Sequence, residues 1–75
     1  MKRQHIIRMA NQIADFHRPY PRDEAVAGVA QHIIDFWDPR MRADLAAQLA
    51  EDETGFNELA LAGAKRVVHQ QAAHA

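Results

Sequence analysis

The sequence predicts an all-α protein, a small bundle of three to four short amphipathic helices. Apolar residues recur at helical spacing in successive segments, and prolines separate the first three of them. The 75 residues are enough for one domain, residues 1–75, with a thin core. The chain has no cysteine, so disulfides and thiolate metal sites are excluded, and helix packing and a partner remain as sources of stability.

The first helix is predicted from about residue 3 to residue 17. Its opposite side carries Arg8, Asn11 and Asp15. Two prolines within residues 18–22 cannot continue a helix and end it. Its expected inward stripe is Ile6, Met9, Ala10, Ile13 and Phe16.

The second helix begins near two acidic residues at positions 23 and 24, which suit the positive end of a helix dipole. We expect Gly28 and Asp35 on its far side. It should stop near Trp37, because the residue before a proline disfavours the helical conformation. Its expected inward stripe is Val26, Val29, Ala30, Ile33, Phe36 and Trp37.

Asp38-Pro39 predicts the start of a third helix, with Asp38 as N-cap and Pro39 at the first helical position. The corner with the second helix should be sharp, since almost no loop remains between them. The expected inward residues of this helix are Met41, Leu45, Ala46 and Leu49.

A fourth helix is predicted from about residue 56 to residue 68, after a polar break at residues 51–55. Gly63 should weaken it by about 1 kcal/mol relative to alanine. Residues 69–75 are expected to form a frayed tail. The expected inward stripe is Phe56, Leu59, Ala60 and Val67.

An internal similarity links the first two helices. When the chain is shifted by 20 residues, Ala10, Ile13, Asp15, Phe16, Pro19 and Arg22 align with Ala30, Ile33, Asp35, Phe36, Pro39 and Arg42. Convergence of two amphipathic helices explains this better than duplication.

Charge is distributed unevenly along the chain. Residues 1–22 carry a net charge of +4, residues 23–38 carry −4, and the whole chain carries −1. This asymmetry either steers a partner or lets the two segments attract each other when packed. No stretch is long and apolar enough for a membrane span or a signal peptide, so a cytoplasmic protein is expected.

The sequence offers little for catalysis or metal binding. It has no serine or cysteine, one threonine and one tyrosine, and its five histidines form no i, i+4 pair. We therefore expect no enzymatic activity, no metal site and no cofactor in this chain. Nucleic-acid binding is also disfavoured, because the second helix is acidic and no basic recognition face follows.

Some residues are not obviously required by folding and are candidates for partner binding. Asn11 and Gln12 lie mid-helix, and His32 lies beside Phe36 at the edge of the apolar stripe. A chain this small can hardly bury both of two adjacent large rings, and tryptophan, methionine and arginine are enriched at interfaces. The alternative is that Trp37 caps the core and the arginines are solvated. The predicted partner-binding set is Asn11, Gln12, His32, Trp37, Arg40, Met41 and Arg42.

Two blocks carry a family resemblance: residues 8–16, RMANQIADF, and residues 36–42, FWDPRMR, with His32 between them. Together they resemble the delta subunit of soluble NAD-dependent formate dehydrogenases, over roughly residues 6–49. The resemblance implies a small subunit without a redox centre, in a complex that oxidises formate to carbon dioxide and reduces NAD. It also implies that the molybdenum or tungsten pterin, iron–sulfur clusters and flavin belong to larger subunits.

The partner implied by the resemblance is the large catalytic subunit of formate dehydrogenase. The sequence leaves two roles open. The chain is either a permanent subunit that acts in assembly or stability, or a transient maturation factor for cofactor insertion. A small regulatory nucleic-acid-binding domain is the less favoured alternative. The isolated chain is also expected to be capable of forming a homo-oligomer through the same apolar surface.

Overall fold

The computed structural model describes residues 2–74, and only the backbone of residues 72–74. It contains four helices, α1 (Arg3–His17), α2 (Arg22–Phe36), α3 (Pro39–Glu51) and α4 (Glu58–His74), and the described residues form no strand. The all-α prediction is therefore confirmed. None of the described helices combines the length and the apolar character needed to cross a membrane.

Local capping chemistry sets the corner between α2 and α3. The Asp38 carboxylate accepts a hydrogen bond from the Met41 backbone N–H at 2.8 Å, and Pro39 occupies the first helical position. The predicted helix start is therefore confirmed, and its cap is of the kind that contributes about 1 kcal/mol.

Both ends of α4 differ from the prediction. The helix begins at Glu58 because the Asn57 side chain caps it, accepting a hydrogen bond from the Ala60 N–H at 2.8 Å. It continues to His74, six residues beyond the predicted end, and the fraying expected of residues 69–75 stays a prediction. Ala75 lies outside the described residues.

The core contains many alanines, and this allows the helices to approach closely. A Cβ on Gly63 in α4 would lie only 2.4 Å from Cγ1 of Val29 in α2. Gly63 therefore permits the α2–α4 contact, a role that helix propensity alone does not reveal. The buried cluster consists of Ile6, Ala10, Ala14, Val29, Ala30, Ile33, Trp37, Leu45, Ala60, Ala64 and Val67.

The inward stripes of α1 and α2 keep most of their predicted residues but exclude the phenylalanines. The predicted residues that are buried are Ile6, Ala10, Val29, Ala30, Ile33 and Trp37. Phe16 and Phe36, both expected inside, are 75% and 74% exposed. In α1 the buried side chains are Ile6, Ile7, Ala10 and Ala14, and this places Met9 and Ile13 at the edge of the core. The small alanines let α1 pack closely, whereas a stripe centred on Phe16 would hold the helices apart.

Gly28 was also misplaced. It lies against α1, where an added Cβ would come within 2.5 Å of Cδ2 of His17. The His17 ring is fixed by a hydrogen bond from its Nδ1 to the Ile13 carbonyl at 2.9 Å. Gly28 thus makes room for an imidazole between α1 and α2.

Candidate partner-binding site

An open groove of about 340 Å³ runs between α1 and the end of α2. We call it the α1–α2 groove. The wall from α1 follows one helical face, and the opposite wall comes from α2 and the residue that ends it. The groove is lined by Met9, Gln12, Ile13, Phe16, His32 and Trp37.

Two exposed phenylalanines lie at the last turns of α1 and α2. The Phe16 ring contacts His17 edge-on at a centroid distance of 5.4 Å, and the Phe36 ring tilts against His32 at 4.7 Å. Full burial of a phenylalanine typically contributes about 1.5–3 kcal/mol. The fold leaves both rings outside its core, so neither ring contributes this stabilisation to the isolated chain.

The internal similarity of α1 and α2 extends to side-chain environment. Ala10 and the equivalent Ala30 are both buried, whereas Phe16 and the equivalent Phe36 are both exposed to nearly the same degree. The repeated pattern thus places an alanine in the core and a phenylalanine on the surface of each helix.

Trp37 lies in the core, as the predicted inward stripe of α2 implied and contrary to the interpretation of this ring as an interface residue. It is 4% exposed and belongs to the core cluster, so the interpretation that folding does not require it is wrong. The reason is backbone geometry: Trp37 leaves α2 with φ −90° and ψ 134°, and it is buried although it also lines the groove. Partner contact by Trp37 stays a prediction.

Asn11 also has a structural role that was missed. Its side-chain N–H donates to the Gly55 carbonyl at 2.9 Å, and its carbonyl oxygen accepts from the Asn57 N–H at 2.8 Å. Asn11 therefore fixes the connection between α3 and α4 and is not an unexplained polar residue. No local signal reveals this, because the partners lie more than 40 residues away in the chain.

Gln12 and His32 are brought together by the fold. Gln12 is exposed on α1 and His32 is half-buried on α2, and both line the α1–α2 groove. Their predicted partner contacts stay predictions, now with a shared location.

The three predicted residues of α3 do not line this groove. Arg40 is exposed, whereas half-buried Met41 packs against the core. Arg42 is half-buried, and its Nε is buried without a hydrogen-bond partner among the described residues. Their contacts with a partner remain predictions.

Carboxylates near the ends of α1 and α2 are engaged within the chain. Asp15 pairs with Arg18 at 2.6 Å, Asp35 accepts from the Gln31 amide at 2.8 Å, and Asp38 caps α3. In contrast, Arg8 and Arg40 form no ion pair with any described carboxylate. Asp35 and Asp38 keep their negative charges in these hydrogen bonds, because the donors are neutral.

The two oppositely charged segments do not form ion pairs with each other within residues 2–74. Apart from the Asp15–Arg18 pair, two basic residues of the first segment, Arg3 and Arg22, pair with later parts of the chain. Arg3 pairs with Asp52 at 3.4 Å, and Arg22 holds Glu58 with a hydrogen bond of 2.7 Å.

Two other grooves are bordered by ion pairs within the chain. One, of about 290 Å³, is bordered by Arg22 and Glu58, which already neutralise each other. The other lies between α3 and α4 and is lined by Leu49, Val68 and their neighbours, with Lys65 already paired to Glu53 at 3.1 Å. No three His, Asp or Glu side chains of the described part converge as metal ligands would.

The fold and the groove define a small all-helical protein whose most distinctive surface is aromatic. The chain belongs to FdsD, the family of NADH-dependent formate dehydrogenase delta subunits, whose family model matches residues 5–64. The match confirms the resemblance seen in the sequence and extends it from α3 into α4. No curated protein and no solved structure matches the chain.

Proposed function

We propose that this chain is a non-catalytic accessory subunit that binds the large catalytic subunit of an NAD-dependent formate dehydrogenase and supports the assembly or stability of the complex. The observation that carries the proposal is membership of the delta-subunit family over residues 5–64. The exposed Phe16 and Phe36 rings add a second reason, since a delta subunit needs a surface for its neighbour.

In this proposal the chain itself binds no cofactor, and the complex works in the cytoplasm. The sequence has no cysteine for an iron–sulfur cluster and only three glycines, without a phosphate-binding loop. The redox groups then belong to the larger subunits, as the family resemblance implies. In this proposal the chain contributes to the complex by binding the large subunit and thereby stabilising the assembled state.

Copurification from the chain's own host tests the proposal. An affinity-tagged chain should recover the large subunit in fixed stoichiometry together with formate-dependent NAD reduction. Deletion of the gene should lower the amount of assembled enzyme, and expression of the chain in trans should restore it.

Two results would contradict this role. Recovery of no large subunit would rule out the binding step. Recovery of the chain only with enzyme that lacks its metal–pterin cofactor, and its absence from the active complex, would instead indicate a transient maturation factor.

A further inference from the structure

We propose that α3 is a detachable segment, which opens and loses its helix as a unit while α1, α2 and α4 stay folded together. Arg3 is the latch that holds α3 in place, and Arg42 loosens it. Such an opening concerns the chain by itself, so it goes beyond the proposed function and does not depend on it.

The helix α3 is joined to the core by little apolar surface. Of its thirteen residues only Leu45 and Gln48 are buried, and the Gln48 amide donates within the segment, to the Asp52 carbonyl at 2.8 Å. An open groove of about 390 Å³ between α3 and α4 is lined by half-buried Leu49. By contrast, α2 buries four apolar residues and packs directly on Gly63 of α4. Few buried apolar contacts are typical of segments that open before the rest of a protein.

The guanidinium of Arg42 is an unfavourable feature of the closed position of α3. Arg42 is half-buried, and its Nε is shielded from solvent without a hydrogen-bond partner among the described residues. A buried donor without an acceptor destabilises the state that buries it, and opening would return this donor to water. Arg42 therefore favours the open state.

The charges at the ends of α3 also oppose its helix dipole. Arg40 and Arg42 lie in the first turn, near the positive end of the dipole, and Glu51 lies at the negative end. A helix of thirteen residues is marginal in water when it stands alone. Once detached, α3 should therefore lose its helix, and its backbone amides would become open to exchange with solvent.

The contacts that hold the C-terminal end of α3 come from α1. Arg3 pairs with Asp52, the residue that ends α3, at 3.4 Å and donates to the Thr54 carbonyl at 2.7 Å. Further along the connection, the Asn11 amide donates to the Gly55 carbonyl at 2.9 Å. Asn11 can keep the start of α4 on α1 while α3 opens, whereas the Arg3 contacts have to break. Arg3 is therefore the latch.

Non-helical residues bound α3 on both sides. Trp37 and Asp38 have extended backbone between α2 and α3, and residues 52–57 connect α3 to α4. A change of direction at these residues need not interrupt α2 or α4. Opening would expose Met41 and Arg42, two predicted partner-binding residues that are half-buried in the closed position.

Native-state hydrogen exchange of the full-length purified chain, followed by NMR in low urea, tests this proposal. We expect the amides of residues 43–51 to share one opening reaction, at least about tenfold more populated than the opening that exposes the amides of residues 29–33 in α2. Equal protection of the two segments, lost together in one global unfolding, would overturn the proposal.

Variants of the latch make the test sharper. Arg3→Ala should speed exchange of the α3 amides about three- to tenfold, because opening no longer has to break the latch. The matched control is Arg22→Ala, which removes another exposed arginine–carboxylate pair, the one with Glu58 between α2 and α4. That pair stays intact when α3 opens, so the control should change exchange of the α3 amides by less than about twofold and speed only amides that need complete unfolding. Equal acceleration of the α3 amides by both variants, or none by Arg3→Ala, would contradict the latch.

Arg42→Met tests the loosening of α3. Methionine fills a similar space without the unpaired donor, so the α3 amides should exchange at least about threefold more slowly. Arg40→Met is the matched control, because it removes an exposed arginine from the same turn and reports the effect of the helix dipole alone. It should slow exchange less than Arg42→Met does. Equal effects of the two variants, or faster exchange in Arg42→Met, would show that the buried donor does not loosen α3.

Discussion

Phe36 and Trp37 are adjacent aromatic residues in opposite environments. Phe36 is the last residue of α2 and is 74% exposed, whereas Trp37 leaves the helix and is 4% exposed. A change of backbone conformation at one residue therefore decides which ring stabilises the fold. Substituting Phe36 and Trp37 one at a time therefore distinguishes a partner-binding role from a structural role.

We expect Trp37→Ala to lower the free energy of unfolding by about 3–5 kcal/mol, because it removes a large buried ring. Phe36→Ala should change it by no more than about 0.5 kcal/mol. Urea denaturation followed by circular dichroism measures both, and loss of helicity in the first variant alone would agree with the core role. Equal losses in the two variants would contradict it.

Asn11 acts across the molecule although it lies in the middle of α1. Its amide both donates to Gly55 and accepts from Asn57, whose own side chain caps α4. One residue thus links the first helix to the start of the last.

We expect Asn11→Ala to lower the free energy of unfolding by about 1–3 kcal/mol, because the part-buried Asn57 N–H loses its acceptor. The neighbouring Gln12→Ala is the control and should have almost no effect on stability, since Gln12 is exposed. Thermal unfolding distinguishes the two. Similar melting temperatures for both variants would show that the Asn11 hydrogen bonds contribute little.

At the scale of elements, the α2–α4 contact depends on the absence of a side chain. Gly63 lies so close to Val29 that a Cβ would be 2.4 Å from Cγ1 and 2.7 Å from Cβ of the valine. A β-branched side chain cannot rotate away easily within a helix. The energetic cost of the clash that an alanine would make at position 63 therefore exceeds the ordinary preference of helices for alanine over glycine.

We expect Gly63→Ala to destabilise the protein by about 1–3 kcal/mol through overpacking, although helix propensity alone favours alanine by about 1 kcal/mol. The loss should shrink in a Val29→Ala background, where the clashing methyl groups are absent. Gly28→Ala is a milder comparison, because it meets the imidazole of His17 and not a stiff branched carbon. A Gly63→Ala protein more stable than the wild type would refute this explanation.

At the scale of the whole molecule, the connection between α3 and α4 is held by residues from the start of α1. The Arg3 guanidinium donates to the Thr54 carbonyl at 2.7 Å and pairs with Asp52 at 3.4 Å. Hydrogen bonds from the Thr54 side chain and backbone N–H, with a smaller contribution from Arg3, lower the pKa of Asp52 below its usual value. The start of α1 and the α3–α4 connection therefore share one pH-sensitive contact.

Because the pKa of Asp52 is lower in the folded state, its ionised form adds stability above the unfolded pKa of about 4. That stability is lost as pH falls through the folded pKa. We expect the wild type to melt slightly above Asp52→Asn at pH 7 and the difference to vanish in stronger acid. A difference that persists unchanged to about pH 2 would contradict this assignment, and thermal scans across the pH range measure it.

The sequence was sufficient to predict the helices and most of their ends. Prolines and the Asp38 cap act within a few residues, so the breaks after α1 and α2 were readable from the chain alone. The start of α4 was predicted less accurately, because Phe56 resembles the beginning of an apolar stripe and the cap at Asn57 was not recognised. Of the predicted site residues, Gln12, His32 and Trp37 lie together in the α1–α2 groove.

The sequence by itself determined the all-α class, the α2–α3 corner and membership of the delta-subunit family, since these follow from local chemistry and short motifs. Only the tertiary structure decided that Trp37 belongs to the core, that Phe16 and Phe36 remain outside, and that Asn11 holds the α3–α4 connection. Apolar periodicity gives each helix a broad inward face. The rotation of that face is set by contacts with helices distant in the sequence, and no local pattern encodes them.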